Sequence, residues 1–225
     1  MKGIKKTSKN WEWRTHSPIL KLITARLSPK LFVELGVGVY SSPIFLNLTD
    51  SKIILIDNSK EWLEVVRSNT TRTDNVDFLF HDLGTDVLGS TTYDELDTEK
   101  QQNIQHYYSQ LAEHVDSIDE SIKLLFVDNY TCVRSKAIEL LSSKFDIIVY
   151  HDAEEECFEY SFDEISTNGY SQYIFKTPRS WTGILIKDNI NLDILNIANE
   201  YIEEWCNQEK LDSSLMYIEE ISYGK

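Results

Sequence analysis

Apolar residues in this chain come in short runs, and the stretches between them carry helical spacing. Leu31–Leu35, Ile53–Asp57, Val76–His81, Ile122–Val127 and Asp146–Tyr150 are runs of strand length rich in Ile, Leu, Val and Phe. Between them apolar positions recur at three- and four-residue steps, as at Ile104, Tyr107, Tyr108, Leu111, Val115 and Ile118 within 101–118. Nearly continuous apolar strands alternating with amphipathic helices predict a parallel sheet covered on both faces. Ser17-Pro18 reads as an N-cap followed by proline at the first helical position. It opens a helix carrying Ile19, Leu20, Leu22, Ile23 and Leu27. Ser59 caps a helix with Trp62, Leu63, Val65 and Val66, and Thr131–Ser142 forms the helix before the fifth strand.

The last two apolar runs differ. Only Thr177–Thr182 separates Tyr170–Lys176 from Gly183–Ile186, which is too short for a helical crossover, so this pair must be antiparallel. A helix over Leu192–Trp205 and a short tail follow. The expectation is an α/β, Rossmann-like seven-stranded mixed sheet, strand seven antiparallel, with helices on both faces. An N-terminal arm (1–16) precedes the main domain (17–190), and residues 191–225 pack on that domain as its C-terminal helix and tail. The polar stretch 83–100 is long for an α/β connection and reads as a lid or a mobile loop.

Composition narrows the class. With 225 residues the chain suits one substantial domain. A formal net charge of −15, from 22 basic and 37 acidic residues, disfavours a nonspecific nucleic-acid binder. The lysines at 2, 5, 6 and 9 read as a solvated tail. Cys132, Cys157 and Cys206 show no CxxC spacing, which fits reduced thiols and argues against a zinc site. No apolar run approaches the ~20 residues of a membrane span. Met1–Asn10 lacks the apolar core of a signal peptide, so the expected location is cytoplasmic. A homo-oligomer is left open.

The chemistry begins at Leu31–Ser42. There an apolar run carries an acid, Glu34, and breaks into a turn containing Gly36 and Gly38. The next run ends in a second acid, Asp57. A glycine turn and a ribose-binding carboxylate at the ends of two neighbouring strands describe a nucleoside-cofactor site. Ser41 holds the third small position of a dinucleotide fingerprint, but an acid two residues before the first glycine is unusual there. Buried, that carboxylate is costly unless it meets a donor or a cation. Asp82 follows the third strand. Asp128, Asn129 and Tyr130 follow the fourth, and His151 and Asp152 the fifth. Ligands of such sheets bind outside the carboxyl ends of the strands, which makes these residues candidates for proton abstraction or metal ligation. Upstream, Trp11, Trp13 and Arg14 suit a lid stacking on a ring or sugar.

The strand order, the sequence Glu34-Leu-Gly36-Val-Gly38 and the placement of Asp57 resemble the class I S-adenosylmethionine (SAM) methyltransferases over about residues 17–188. The resemblance implies SAM as cofactor, held by Glu34, Gly36, Gly38, Ser41, Ser42 and Asp57, with Asp82 near the adenine amino group. The segments FVDNYTCVRSKAIELL and IIVYHDAEE resemble the O-methyltransferase branches. In the catechol type an aspartate after strand four and an Asp-Asn pair after strand five hold magnesium. Asp128 and Asp152 match that set and Ala153 replaces the asparagine, which makes a divalent metal on Asp128 and Asp152 a candidate second cofactor. The glycan-directed type is similar in the order Asp128, Tyr130, Arg134, His151-Asp152 and Tyr160-Ser161, and Glu61-Trp62 is similar to sugar and small-molecule O-methyltransferases. Together these imply transfer to a hydroxyl oxygen of a small molecule or glycan, with Asp128, His151 and Asp152 catalytic. Tyr130, Arg134, Trp13 and Arg14 would contact the acceptor.

Rival expectations are an amine or carboxylate acceptor, a non-catalytic SAM-binding domain, and an NAD-dependent enzyme. Plainer roles compete for single residues as well. Asp128 suits a helix cap, His151 a structural histidine, and Arg134 a partner for Glu155 or Glu156, while Glu154–Glu156 suits a solvated helix start.

Overall fold

The computed structural model describes residues 14–48, 50–72, 74–83, 92–118, 121–154 and 168–221. Five parallel strands form the frame: β1 (Leu31–Leu35), β2 (Lys52–Asp57), β3 (Val76–Phe80), β4 (Lys123–Val127) and β5 (Ile147–His151). β6 (Tyr170–Lys176) and β7 (Thr182–Lys187) pair antiparallel, and β7 inserts between β5 and β6. Among the described residues the sheet has eight strands, in the order β3-β2-β1-β4-β5-β7-β6-β8. The expected count of seven is therefore corrected. The tail after the last helix returns as β8 (Tyr217–Glu220), which pairs antiparallel with β6. A four-residue strand whose ends are exposed has no burial pattern to read, and only the free edge of β6 selects its conformation.

The helices are α1 (Ser17–Leu27), α2 (Ser42–Leu46), α3 (Lys60–Ser68), α4 (Thr98–Asp116), α5 (Thr131–Leu141) and α6 (Ile194–Glu209). Their apolar residues divide between the two faces of the sheet. One core joins Ile19, Phe45, Leu63 and Ile202 to Phe32 of β1, so α1, α2, α3 and α6 cover that side. The other joins Tyr108, Leu111, Val133 and Ile138 to Leu31, Val33 and Leu35 of β1. Every residue of β1 is buried, as expected of a parallel strand covered on both faces. Successive side chains alternate across a strand, so Glu34 lies on the same side as Phe32.

Several boundaries move. His16, not Ser17, stands at the N-cap of α1, with no side-chain cap, while Pro18 still falls in the first turn. Ser59 caps α3 as expected, accepting from the backbone N–H of Trp62 at 3.2 Å. Within the 83–100 stretch, Asp97 caps α4 and accepts from Lys100 N–H at 2.8 Å, so the helix starts three residues earlier than its apolar spacing indicates. Residues 84–91 of that stretch lie outside the described residues.

Candidate functional site

The turn after β1 approaches the end of β4 closely. Gly36 has φ +85°, and a Cβ built there would lie 2.3 Å from the carbonyl oxygen of Asp128. Only glycine allows both that backbone conformation and that approach. Asp57, at the end of β2, closes the turn from the other side. Its carboxylate accepts from Val37 N–H at 2.8 Å and from Ser59 N–H at 2.6 Å. Burial pushes the Asp57 carboxyl above its usual range, against those hydrogen bonds. Between these elements lies a cleft of about 320 Å³, whose lining includes Gly36, Asp57, Trp62, Asp128, Tyr130 and Arg134. The fold thus brings the glycine turn, the β2 acid and the β4 end to one space.

Glu34 does not line that cleft. It is fully buried beneath the turn, where the hydroxyls of Ser41 and Ser42 both donate to its carboxylate, the Ser42 bond at 2.7 Å. Ser42 also accepts from Gly38 N–H at 3.1 Å. Desolvation raises the Glu34 pKa to about 8, with the serine bonds opposing the shift. Glu34, Ser41 and Ser42, expected to meet the cofactor, thus brace the turn from beneath, tied to it through Gly38 N–H. Within the protein, the two serine hydroxyls are the donors that meet the buried acid. Asp82 lies further along the strand ends, where a small pocket lined by Gly36, Asp57, His81 and Leu83 shares residues with the spaces on either side. Asp82 itself lines a cavity of about 410 Å³, with Asp97 and Lys100. Neighbouring His81 stacks on Tyr107 with ring centroids 3.4 Å apart, and burial lowers its pKa to about 4.

Behind the cleft lies a compact charged cluster. Arg134, on α5, is buried, with its Nη2 on Asp128 at 2.9 Å and its Nη1 on Asp152 at 2.8 Å. The same guanidinium donates to the backbone carbonyls of Asn129 (2.6 Å) and His151 (3.1 Å). This corrects two expectations. Arg134 is engaged with the protein, not presented to an acceptor. The Asp128–Asp152 pair does not fit a shared metal, because a guanidinium already spans the two carboxylates. The helix-cap role of Asp128 is also absent, since Tyr130 stands at the N-cap of α5 without a side-chain cap. Glu154, expected in solvent, accepts from Trp181 N–H at 2.8 Å.

His151 sits inside this cluster. Its Nε2 lies 2.8 Å from the Thr15 hydroxyl and 3.1 Å from the Ser180 hydroxyl. Its Nδ1 faces Asp128 at 3.3 Å and Asp152 at 3.4 Å. Burial disfavours the imidazolium, but the two carboxylates outweigh it and the pKa of His151 is raised. Burial likewise works against both carboxylates, yet His151 and Arg134 hold them below their usual range. Asp152 carries a second anchor, the Ser180 hydroxyl at 2.7 Å, and adopts φ +55°.

The arm residue Arg14 pairs with Glu209 of α6 at 2.6 Å and lies 4.3 Å over the Tyr40 ring, so its charge serves the packing of this segment. Trp13, Tyr160 and Ser161 lie outside the described residues. Thr15, His16 and Ser180 belong to the cluster and were not singled out by the sequence. Ser180 lies in the short β6–β7 connection, where residue type carries no signal. The adjacent Thr15-His16 pair, just before Pro18, was the only available hint.

Comparison with known proteins agrees with this architecture. The chain matches no family model, and no curated protein matches it. Among solved structures, it is similar to a methyltransferase-like protein from Silicibacter pomeroyi DSS-3, at 10% identity and TM-score 0.52, over 83% of this chain and 93% of that one. The chain shares the fold of that structure. A Legionella pneumophila protein is similar over 99% of both chains, at 10% identity and TM-score 0.55. Magnesium protoporphyrin IX methyltransferase from Synechocystis, solved with bound SAM, is similar at 14% identity and TM-score 0.49, over 84% of this chain and 87% of that one. Among the described residues no helix is long and apolar enough to cross a membrane.

Proposed function

We propose that this protein is a SAM-dependent methyltransferase that transfers the methyl group to a hydroxyl oxygen of a small molecule or sugar. The observation that carries the reading is the single cleft joining Gly36 and Asp57 to Asp128 and Tyr130. In it the Asp57 carboxylate, at the end of β2, can accept from two ribose hydroxyls. The methyl would then point toward the β4 end. Methyl transfer is an in-line displacement, so the protein contributes chiefly by positioning the two reactants. A hydroxyl acceptor also needs help losing its proton, and Asp128, His151 and Asp152 supply acid–base groups on that side.

Calorimetry with S-adenosylhomocysteine and NAD, run side by side, tests the cofactor. Tight binding of the former alone supports the reading, and binding of NAD alone refutes it. Methyl transfer from labelled SAM to sugar, phenol and amine panels then tests the acceptor. Turnover restricted to amines would replace the hydroxyl assignment. Binding of S-adenosylhomocysteine with no turnover on any panel would favour a non-catalytic domain.

A further inference from the structure

His16 is left unexplained by the hydrogen bonding of the cluster. It is 2% exposed, and among the described residues neither of its ring nitrogens has a hydrogen-bond partner. Burying an unmet donor or acceptor costs about 1–3 kcal/mol. The ring stands edge-on to His151, with centroids 4.9 Å apart, and packs on Phe126 at the same distance. One ligand-type atom each of His16, Asp128 and His151 lies within 4.8 Å of the other two.

The surroundings of His151 point the same way. Thr15 and Ser180 hold its Nε2, which turns Nδ1 toward the carboxylates. A histidine ligand commonly has its far nitrogen anchored in this manner. The Nδ1 separations of 3.3 and 3.4 Å exceed the ~2.7–2.9 Å of a charge-assisted hydrogen bond. The Asp128 separation is close to the ~3.4 Å between two ligands that each sit ~2.1 Å from one tetrahedral cation. Arg134 Nη2 holds Asp128 Oδ1 at 2.9 Å, the same oxygen that faces His151, and so orients that carboxylate toward the two imidazoles.

We propose that His16, Asp128 and His151 are the protein ligands of a divalent transition-metal ion, bound on the arm side of the cluster and not between Asp128 and Asp152. Two imidazoles and one carboxylate favour cobalt, zinc or iron over magnesium, which prefers an all-oxygen shell. Three protein ligands leave a position open. Asp128, Asp152 and Arg134 sum to one negative charge, so a dication leaves the site with one positive charge to offer an oxygen ligand. Resting on the function proposed above, that ligand is the acceptor hydroxyl.

The test is metal binding by the full chain, independent of turnover. Chelator-stripped protein is titrated with Co2+, followed by its visible absorption and by calorimetry, and with Mg2+ in parallel. One Co2+ per chain is expected, with Mg2+ at least about tenfold weaker. His16→Phe and His16→Gln should each weaken Co2+ at least about tenfold. Thermal melts confirm folding, and the Gln variant keeps the test open if the Phe variant does not fold. Absence of saturable Co2+ binding, Co2+ binding unchanged in both variants, or equal affinity for Mg2+ would overturn the site. S-adenosylhomocysteine binding measured on the same samples separates the two proposals. Its persistence without metal binding removes the metal site alone.

Discussion

Replacing Gly36 with alanine tests the link between turn, sheet and cleft. The added Cβ would sit 2.3 Å from the Asp128 carbonyl oxygen, 2.4 Å from its carbon and 2.6 Å from Asn129 N, where ordinary contact begins at 3.4 Å. All three atoms are backbone, so no side chain can swing aside. Holding φ at +85° with a Cβ costs about 1–2 kcal/mol. Relieving an overlap of roughly 1 Å must part the ends of β1 and β4, which strains the Asp128 N–H to Leu35 carbonyl bond of 2.7 Å. That adds about 1 kcal/mol per bond weakened. A total near 3 kcal/mol lowers the melting temperature of a chain this size by about 6–12 °C. Circular dichroism melts would read it, and calorimetry should show S-adenosylhomocysteine binding weakened at least about tenfold, since the displaced atoms wall the cleft. Gly38→Ala is the control, because its Cβ meets the Ser41 hydroxyl at 3.0 Å and no backbone atom nearer than Tyr40 N at 4.0 Å. If Gly36→Ala melts within about 2 °C of the parent and binds normally, the close approach of β1 and β4 is not what shapes the site.

Three further outcomes follow from the same geometry. Arg134→Met takes the guanidinium from two half-buried carboxylates that keep only His151 and, for Asp152, Ser180 as side-chain partners, and should cost about 1–3 kcal/mol in urea unfolding; a loss under about 0.5 kcal/mol would show that the network is not structural. Glu34 has a folded pKa of about 8 against 4.5 unfolded, so its protonated form contributes stability that is complete below pH 4.5 and lost as pH rises through 8. Glu34→Gln, neutral throughout, should therefore gain stability relative to the parent across that window, and parallel melting-versus-pH curves would show that Glu34 is not protonated. Asp57→Ala should weaken S-adenosylhomocysteine at least about tenfold and by more than Asp82→Ala does, because Asp57 lines the cleft at the glycine turn and Asp82 the neighbouring cavity. Equal losses would place the nucleoside across both cavities.

The elements with strong local patterns were legible without coordinates. β1 and β6 run over the residues their apolar runs mark, and the short Thr177–Thr182 connection forces the antiparallel pair. Gly36 and Asp57 also land where their spacing puts them, at the ends of neighbouring strands. These are consequences of side-chain period and chain reach, which a linear sequence contains. β8 was not legible, because an exposed strand needs an edge to pair with and the edge belongs to β6.

Side-chain partnership lay beyond the sequence for a related reason. Which group meets Glu34, Arg134 or His151 depends on residues far apart in the chain: Thr15 reaches His151 across 136 positions and Ser180 reaches Asp152 across 28. A run of apolar residues dictates a strand and even the face each side chain takes. It carries no information on which charge closes a buried cluster, because that is settled by distances of a few ångströms between separate elements. The sequence by itself determined the parallel core of the sheet, its antiparallel pair, the glycine turn and the acid at the end of the next strand. Only the tertiary structure turned Glu34 and its serines away from the cleft, set Arg134 between two aspartates and brought His16 to His151, since each rests on contacts that exist only once α1, α2 and α5 have packed on the sheet.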